Sequence, residues 1–323
     1  MLKALVSVVA LCSVWLVSAL AQEKPEIPSL ASLDLIDLTD EPSRQDLFEI
    51  VRKDAMQGLT QDQIRKFDLT APFVFPEHTR RDVKLNKPRI NSIFGIDISH
   101  HNGPDVDLEG SKMANARFVY VKATQGLTFR DPRFASNWSR LGALAEGRKV
   151  HRGAYHFLSA NQPGRDQALR FVAVLQAQGG LAPTDMPPVV DLEWDKACKD
   201  SPDRWIDTSD PGRGDKIIKE LLDFMWVVEQ ATGRKPMVYT ARSWWRSAIG
   251  SEAKFSRISG YPIWIADYSI SSQAVEVPKV PNGAAYSLWQ FTDRSQFGSK
   301  KLDANIFKGT EDEFYQRLQV SRF

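Results

Sequence analysis

Val189-Val190-Asp191-Leu192-Glu193-Trp194 is the stretch whose reading decides the fold, because two carboxylates interrupt an apolar run that is otherwise suited to a buried strand. Residues two apart on a strand share a face, so Asp191 and Glu193 are expected to point one way and Val190 and Leu192 the other. The same design recurs upstream in Gly95-Ile96-Asp97-Ile98-Ser99 and downstream in Leu302-Asp303-Ala304-Asn305. Acidic side chains repeated at strand ends are what a β/α barrel presents at its active-site face.

Working outward from these runs, strands are predicted at 93–98, 118–123, 153–157, 188–193, 236–239, 262–266 and 286–291, with a weaker eighth at 302–306. Helical periodicity fills 132–146, 164–178 and 213–232. Between 239 and 262 only short helices are expected, and between 266 and 286 none. The alternation predicts an α/β fold, an irregular TIM-like (β/α) barrel of eight strands over residues 93–323, with reduced helices in its C-terminal half. A doubly wound open sheet is the alternative, and it lacks the Gly-x-Gly-x-x-Gly turn after its first strand.

Residues 1–21 read as a signal peptide: Lys3 precedes an apolar run that ends Ala19-Leu20-Ala21. The expected product is exported, periplasmic or secreted. Retention of the segment would instead leave the protein associated with a membrane. Cleavage removes Cys12 and leaves Cys198 alone, which excludes an intrachain disulfide in the mature chain. Residues 22–92 read as an N-terminal extension or linker, with a short helix over 43–56 and another turn between Thr60 and Gln63. His78 there is expected to be a solvated loop residue.

The 323 residues carry 42 Lys+Arg against 40 Asp+Glu, a formal charge of +2, so the polycationic balance of an unspecific nucleic-acid binder is absent. No nucleic-acid partner is expected, and a monomer is. Nine Trp and seventeen Phe supply enough aromatic surface for a core and for a stacking cleft.

Paired carboxylates in a partly desolvated cleft separate in proton affinity, leaving one as an acid and the other ionised. Glycosidic cleavage requires that pair: an acid for the leaving oxygen and a negative group for the oxocarbenium-like carbon. Trp194, Trp205, Trp264 and Trp289 offer flat faces for sugar rings, although core packing explains any one of them equally well. A metal-dependent deacetylase or amidase is a second reading, using Asp97, His100, His101, His151, His156, Asp191 and Glu193. It lacks His-Glu-x-x-His and any recurring zinc-ligand spacing. No Gly-x-Ser-x-Gly is present for a serine nucleophile. A non-catalytic sugar-binding module is the third reading.

Six segments then carry a resemblance: 94–103 (Phe-Gly-Ile-Asp-Ile-Ser-His-His-Asn-Gly), 118–126 (Phe-Val-Tyr-Val-Lys-Ala-Thr-Gln-Gly), 152–157 (Arg-Gly-Ala-Tyr-His-Phe), 190–194 (Val-Asp-Leu-Glu-Trp), 264–268 (Trp-Ile-Ala-Asp-Tyr) and 288–292 (Leu-Trp-Gln-Phe-Thr). In this order and spacing the chain resembles the family 25 glycoside hydrolases, the Chalaropsis-type lysozymes, over about residues 93–310. The resemblance implies a distorted barrel that hydrolyses the β-1,4 bond between N-acetylmuramic acid and N-acetylglucosamine in peptidoglycan, its expected partner, with net retention and no cofactor or metal. It implies Glu193 as general acid, Asp191 as the stabilising carboxylate, and Asp97 and Asp303 as the rest of the catalytic cluster. Tyr155, Trp194, Trp264, Asp267, Trp289 and Gln290 would bind substrate. Gln125 departs from the pattern, standing where many relatives carry Glu.

Overall fold

A ring of eight strands forms where the sequence alternates between side chains that fill a shared lumen and side chains that face an outer layer. The computed structural model describes residues 24–33, 60, 73–82, 86–104, 106–110, 113, 115–196, 201–207 and 209–323. The signal segment 1–21, the helix expected over 43–56, the turn expected after Thr60, and Cys198 lie outside the described residues.

The strands are β1 (Ser92–Ile98), β2 (Ala116–Gln125), β3 (His151–Phe157), β4 (Val189–Asp191), β5 (Met237–Ala241), β6 (Ile263–Ala266), β7 (Leu288–Phe297) and β8 (Lys300–Lys308). Neighbours from β1 to β7 pair in parallel, and β8 closes the ring between β7 and β1. Both of the closing pairs are antiparallel. Only the turn residues Gly298 and Ser299 join β7 to β8, and two residues permit a hairpin but no crossover. A short strand, Phe129–Arg130, folds back on the end of β2.

The outer layer contains α1 (Phe134–Gly142), α2 (Gly164–Gln176), α3 (Arg213–Thr232), α4 (Arg242–Ala248) and α5 (Ile270–Val275). In α3, Ile217, Leu221, Phe224 and Val228 recur at three- and four-residue spacing and are buried, and Gly233 ends the helix in the left-handed region. Helix α5 corrects the expectation of no helix between 266 and 286. It is a little over one turn long, too short to show periodicity, and the Ser269 side chain caps it by accepting from the Ser272 amide.

The lumen is packed from the floor upward. Helix α6 (Glu311–Leu318), started by the Thr310–Glu313 capping box, sets Phe314 against Phe118, Phe307 and His151. Above them Tyr120 lies against Trp264 with ring centroids 4.8 Å apart. Gly153 makes that layer possible, since a Cβ there would fall 2.2 Å from the Tyr120 ring.

Among the described residues no crossover helix joins β7 to β8, because a hairpin needs none. Residues 73–80 occupy that place. Val74 bridges Gln296 of β7, Phe75 is fully buried, and Phe73 packs on Phe94 and Phe291. His78 follows in the one-turn helix Glu77–Arg80. It is half-buried, and its Nδ1 accepts from the Val74 amide at 3.1 Å, which replaces the solvated role expected of it. Burial, with Arg89 nearby, lowers its pKa. Further upstream, Ile27 and Leu30 pack against the core.

Candidate active site

The upper layer of the lumen gathers most of the residues singled out from sequence. Asp97, Tyr155, Val189, Asp191, Tyr239 and Trp264 line a narrow recess of the lumen. Asp303 stands directly opposite Asp97 across the β8–β1 ladder. Directly paired residues of an antiparallel ladder point to the same face, with Cβ atoms about 5 Å apart, and like charges there are destabilising. Both carboxylates are buried, so the fold tolerates a pair that sheet stability alone disfavours.

Asp97 is held by a network whose polarity can be deduced. The Trp264 indole has only an N–H to give, and it donates to Asn305 Oδ1 at 2.9 Å. The amide end of Asn305 is therefore turned to Asp97, and Nδ2 donates to Oδ2 at 2.8 Å. Gln290 Nε2 donates to the same Oδ2 at 2.8 Å, while Gln290 Oε1 accepts from the Tyr239 hydroxyl at 2.7 Å and from the Tyr268 hydroxyl. Two amide donors thus converge on one carboxylate oxygen.

Glu193 lies beyond the strand that was expected to carry it. Strand β4 ends at Asp191, the Leu192 amide donates to the Tyr239 carbonyl at 2.9 Å, and Glu193 sits at a bend beyond the ladder. Its side chain is buried. Tyr268 relates it to the cluster. Burial first, then the charges of Asp303, Asp293, Glu193 and Asp97, raise the phenol well above its ordinary value, so one buried hydroxyl senses four carboxylates. Tyr268 remains a donor throughout neutral pH.

Several expected binding residues are placed otherwise. Gln290, assigned to substrate, is fully buried and bonds Asp97. Because Gln290 faces the lumen, its neighbour Trp289 must face the outer layer, where its indole donates to the Asp267 carbonyl at 2.8 Å. Asp267, expected in the sugar cleft, spends both carboxylate oxygens on its own loop: Oδ1 accepts from Ser269 N, and Oδ2 from Ser272 Oγ and Lys279 N. Trp264 lines the recess but is covered by Tyr120, and its edge-on neighbour is Tyr239. Trp194 and Trp205 are buried in the core. None of these rings is an open platform. Tyr155 does line the recess.

Tyr239, Tyr268, Asn305 and Asp293 were missed as site residues. Tyr268 stands just beyond the end of β6 and Asn305 shares a strand face with Asp303, so the rule that located the acids also reaches these two, whereas Tyr239 is the central residue of β5. Gln125, at the end of β2, accepts from Lys122 Nζ at 2.5 Å, and that cation lies over the Phe129 and Phe157 rings.

The histidines have structural partners. His156 Nδ1 lies 2.7 Å from Thr124 Oγ1 and Nε2 lies 3.1 Å from Gln167 Oε1, with Phe224 stacked on the ring. Burial lowers its pKa to about 3, which keeps the ring neutral. His151 Nδ1 bonds the Thr184 carbonyl, and His100 Nδ1 bonds Asp131 at 2.9 Å. Among the described residues no cluster of three or more His, Cys, Asp or Glu could hold a metal ion.

A TIM-like barrel with a buried carboxylate cluster at its mouth defines a class, that of barrel glycosidases. The match to the model of glycosyl hydrolases family 25 spans residues 96–299, and the chain belongs to that family. It is 30% identical over 223 residues to the N,O-diacetylmuramidase of a Chalaropsis species, covering 68% of this chain and 96% of that one. It is 29% identical to Lysozyme M1 of Streptomyces globisporus, over 68% of this chain and 69% of that protein. Among solved structures, a family GH25 lysozyme from Aspergillus fumigatus matches with a TM-score of 0.56 and 26% identity, covering 71% of this chain and all of that one.

Proposed function

We propose that this protein is a muramidase that hydrolyses the β-1,4 bond between N-acetylmuramic acid and N-acetylglucosamine in peptidoglycan. The observation that carries the reading is the convergence of Asp97, Asp191, Asp303 and Glu193 on one barrel mouth, with the first two lining a common recess and three of the four acting on Tyr268. Family membership supplies the substrate class.

In this reading Glu193 gives its proton to the glycosidic oxygen as the C–O bond breaks. Asp191 stabilises the positive charge that develops at the anomeric carbon, or orients the substrate acetamide that captures it. Water then attacks that carbon and returns a proton to Glu193. Asp97 and Asp303 add negative potential where cationic charge grows, and the amides of Gln290 and Asn305 keep Asp97 from moving toward it. Glu193 and Asp191 are two residues apart, which limits their Cα separation to about 7 Å and favours the closer spacing of retaining enzymes. An exported enzyme meets this polymer directly, in keeping with the proposed signal segment.

The test is digestion of purified sacculi with mass analysis of the products and NMR of the first-formed anomer. Reducing N-acetylmuramic acid ends, a β-anomer and activity in EDTA are expected. Glu193→Gln should lower the rate by about 100- to 10,000-fold with the circular dichroism unchanged. Binding without new reducing ends would make the protein a carbohydrate-binding module, reducing N-acetylglucosamine ends would make it a glucosaminidase, and metal-restored activity would revive the deacetylase or amidase.

A further inference from the structure

Glu193 lies two residues beyond the end of β4. Strand β4 is three residues long, and the last sheet-like bond before Glu193 is that of the Leu192 amide. Two residues further on, Asp195 is held on three sides. Its amide donates to Asp203 Oδ1 at 3.1 Å, its carbonyl accepts from Arg204 N at 2.8 Å, and its Oδ2 accepts from Ala160 N at 2.8 Å in the loop after β3. Asp203 is the hub of this anchor. Oδ1 also accepts from Trp205 N at 3.1 Å, and Oδ2 accepts from the Trp244 indole of α4 at 3.0 Å. Three donors converge on one buried carboxylate, and they come from the segments that follow β4 and β5.

We propose that Asp203 is a positioning residue for Glu193, fixing the bend that carries the acid by tying the Asp195 backbone to the Trp244 indole. The proposal rests on the reading of Glu193 as general acid. A group whose only task was to join two loops would be served by a neutral amide or a hydroxyl at the surface. Here a carboxylate is retained although burial, with the like charge of Asp195 adding to it, pushes its pKa up to about 6 against the lowering effect of its N–H donors. Asp195 and Arg204 are its charged neighbours, and those two are paired to each other at 3.1 Å. The carboxylate matches its surroundings because it alone accepts from all three donors. An asparagine offers a single acceptor oxygen and must turn its NH₂ either to the two backbone amides or to the indole.

Two variants separate positioning from bulk stability. Asp203→Asn keeps the shape and gives up one side of the hub, and Trp244→Phe removes only the indole donor. For each, kcat and KM are measured on soluble peptidoglycan fragments across pH, per folded molecule counted by near-ultraviolet circular dichroism. Glu193→Gln is run beside them. The expected result is a fall in kcat of about 10- to 100-fold with KM within about twofold, as for a displaced catalytic group, together with a displaced alkaline limb of kcat. Wild-type kcat and limbs in both folded variants, with only a lower Tm, would overturn the proposal while leaving Glu193 as the acid. Wild-type activity of Glu193→Gln would instead overturn the acid assignment itself.

Discussion

Asn305→Asp changes the network around Asp97 by one atom and no volume. Trp264 continues to donate to one oxygen of the new side chain, so the other oxygen is forced to face Asp97 Oδ2, which Nδ2 now approaches to 2.8 Å. Two carboxylate charges about 4 Å apart repel by about 4 kcal/mol at an effective dielectric of about 20, a difference of about three pH units in proton affinity. One proton is therefore shared between the two through the acidic range, where the pair carries the same single charge as Asp97 beside Asn305, and it is released only near neutrality, where the pair carries two. The assay is kcat/KM on soluble peptidoglycan fragments for variant and wild type from pH 4.5 to 8, read as their ratio so that the Glu193 ionisation cancels. At pH 5 the ratio should lie within about threefold of one, because the shared proton leaves the net charge of the pair as in the wild type. It should fall above about pH 7, where the second charge appears and repulsion pushes Asp97 off its amide donor. A ratio below about 0.1 at pH 5 would refute the shared proton, and a ratio unchanged from pH 5 to 8 would refute the charge argument.

Two further outcomes follow from packing and burial. Phe75→Ala should cost about 3–5 kcal/mol in urea unfolding, since Phe75 is fully buried against Phe94 and Phe297; a loss below about 1 kcal/mol would mean that residues 73–80 are not part of the barrel's fold. Two of the groups on which acid stability depends oppose each other. His156, lowered to about 3, makes the unfolded chain the better proton acceptor below about 6.5, so its stabilisation is lost as pH falls. Asp203, raised to about 6, makes the folded chain the better acceptor between 6 and the ordinary carboxylate value, so stability is gained over that fall. The slopes cancel in the wild type. Asp203→Asn should thus lose stability more steeply between pH 6 and 4, by about 1.4 kcal/mol per unit; parallel curves in urea unfolding at pH 7, 5 and 4 would contradict this.

The barrel was legible because each strand is a short apolar run and each long helix repeats its apolar residues at one period. Helix α3 lies where its periodicity put it, from Arg213 to Thr232. Helix α5 was hidden by its length. The acids were legible for the same reason as the strands: a charge inside an apolar run has few places to go except a barrel mouth. Trp289 and Gln290 show the limit of reading by type. Alternation permits only one of the two to face the lumen, and the aromatic residue suggests sugar stacking while the amide is the one that reaches Asp97. Asp267 was misread for a related reason. A carboxylate just after a strand end can face the mouth or cap the loop that follows, and Ser269 and Ser272 decide for the loop.

The direction of β8 links the chemistry to the architecture. In a parallel eighth strand, Asp303 would sit toward the floor, since it lies in the first half of Lys300–Lys308. Reversal through the Gly298-Ser299 turn carries that half to the mouth, setting Asp303 opposite Asp97 and bringing the Asn305 amide onto the Asp97 carboxylate. The same reversal removes the crossover helix that would have covered the outer face of β7, β8 and β1. Phe94 and Phe291 on that face would then meet water, a loss of apolar burial worth about 1.5–3 kcal/mol for each ring fully exposed. Phe73 and Phe75 from the N-terminal segment cover them. The strap therefore belongs with the site: the hairpin that delivers an acid and an amide to the mouth leaves a face that residues upstream of the barrel help to close.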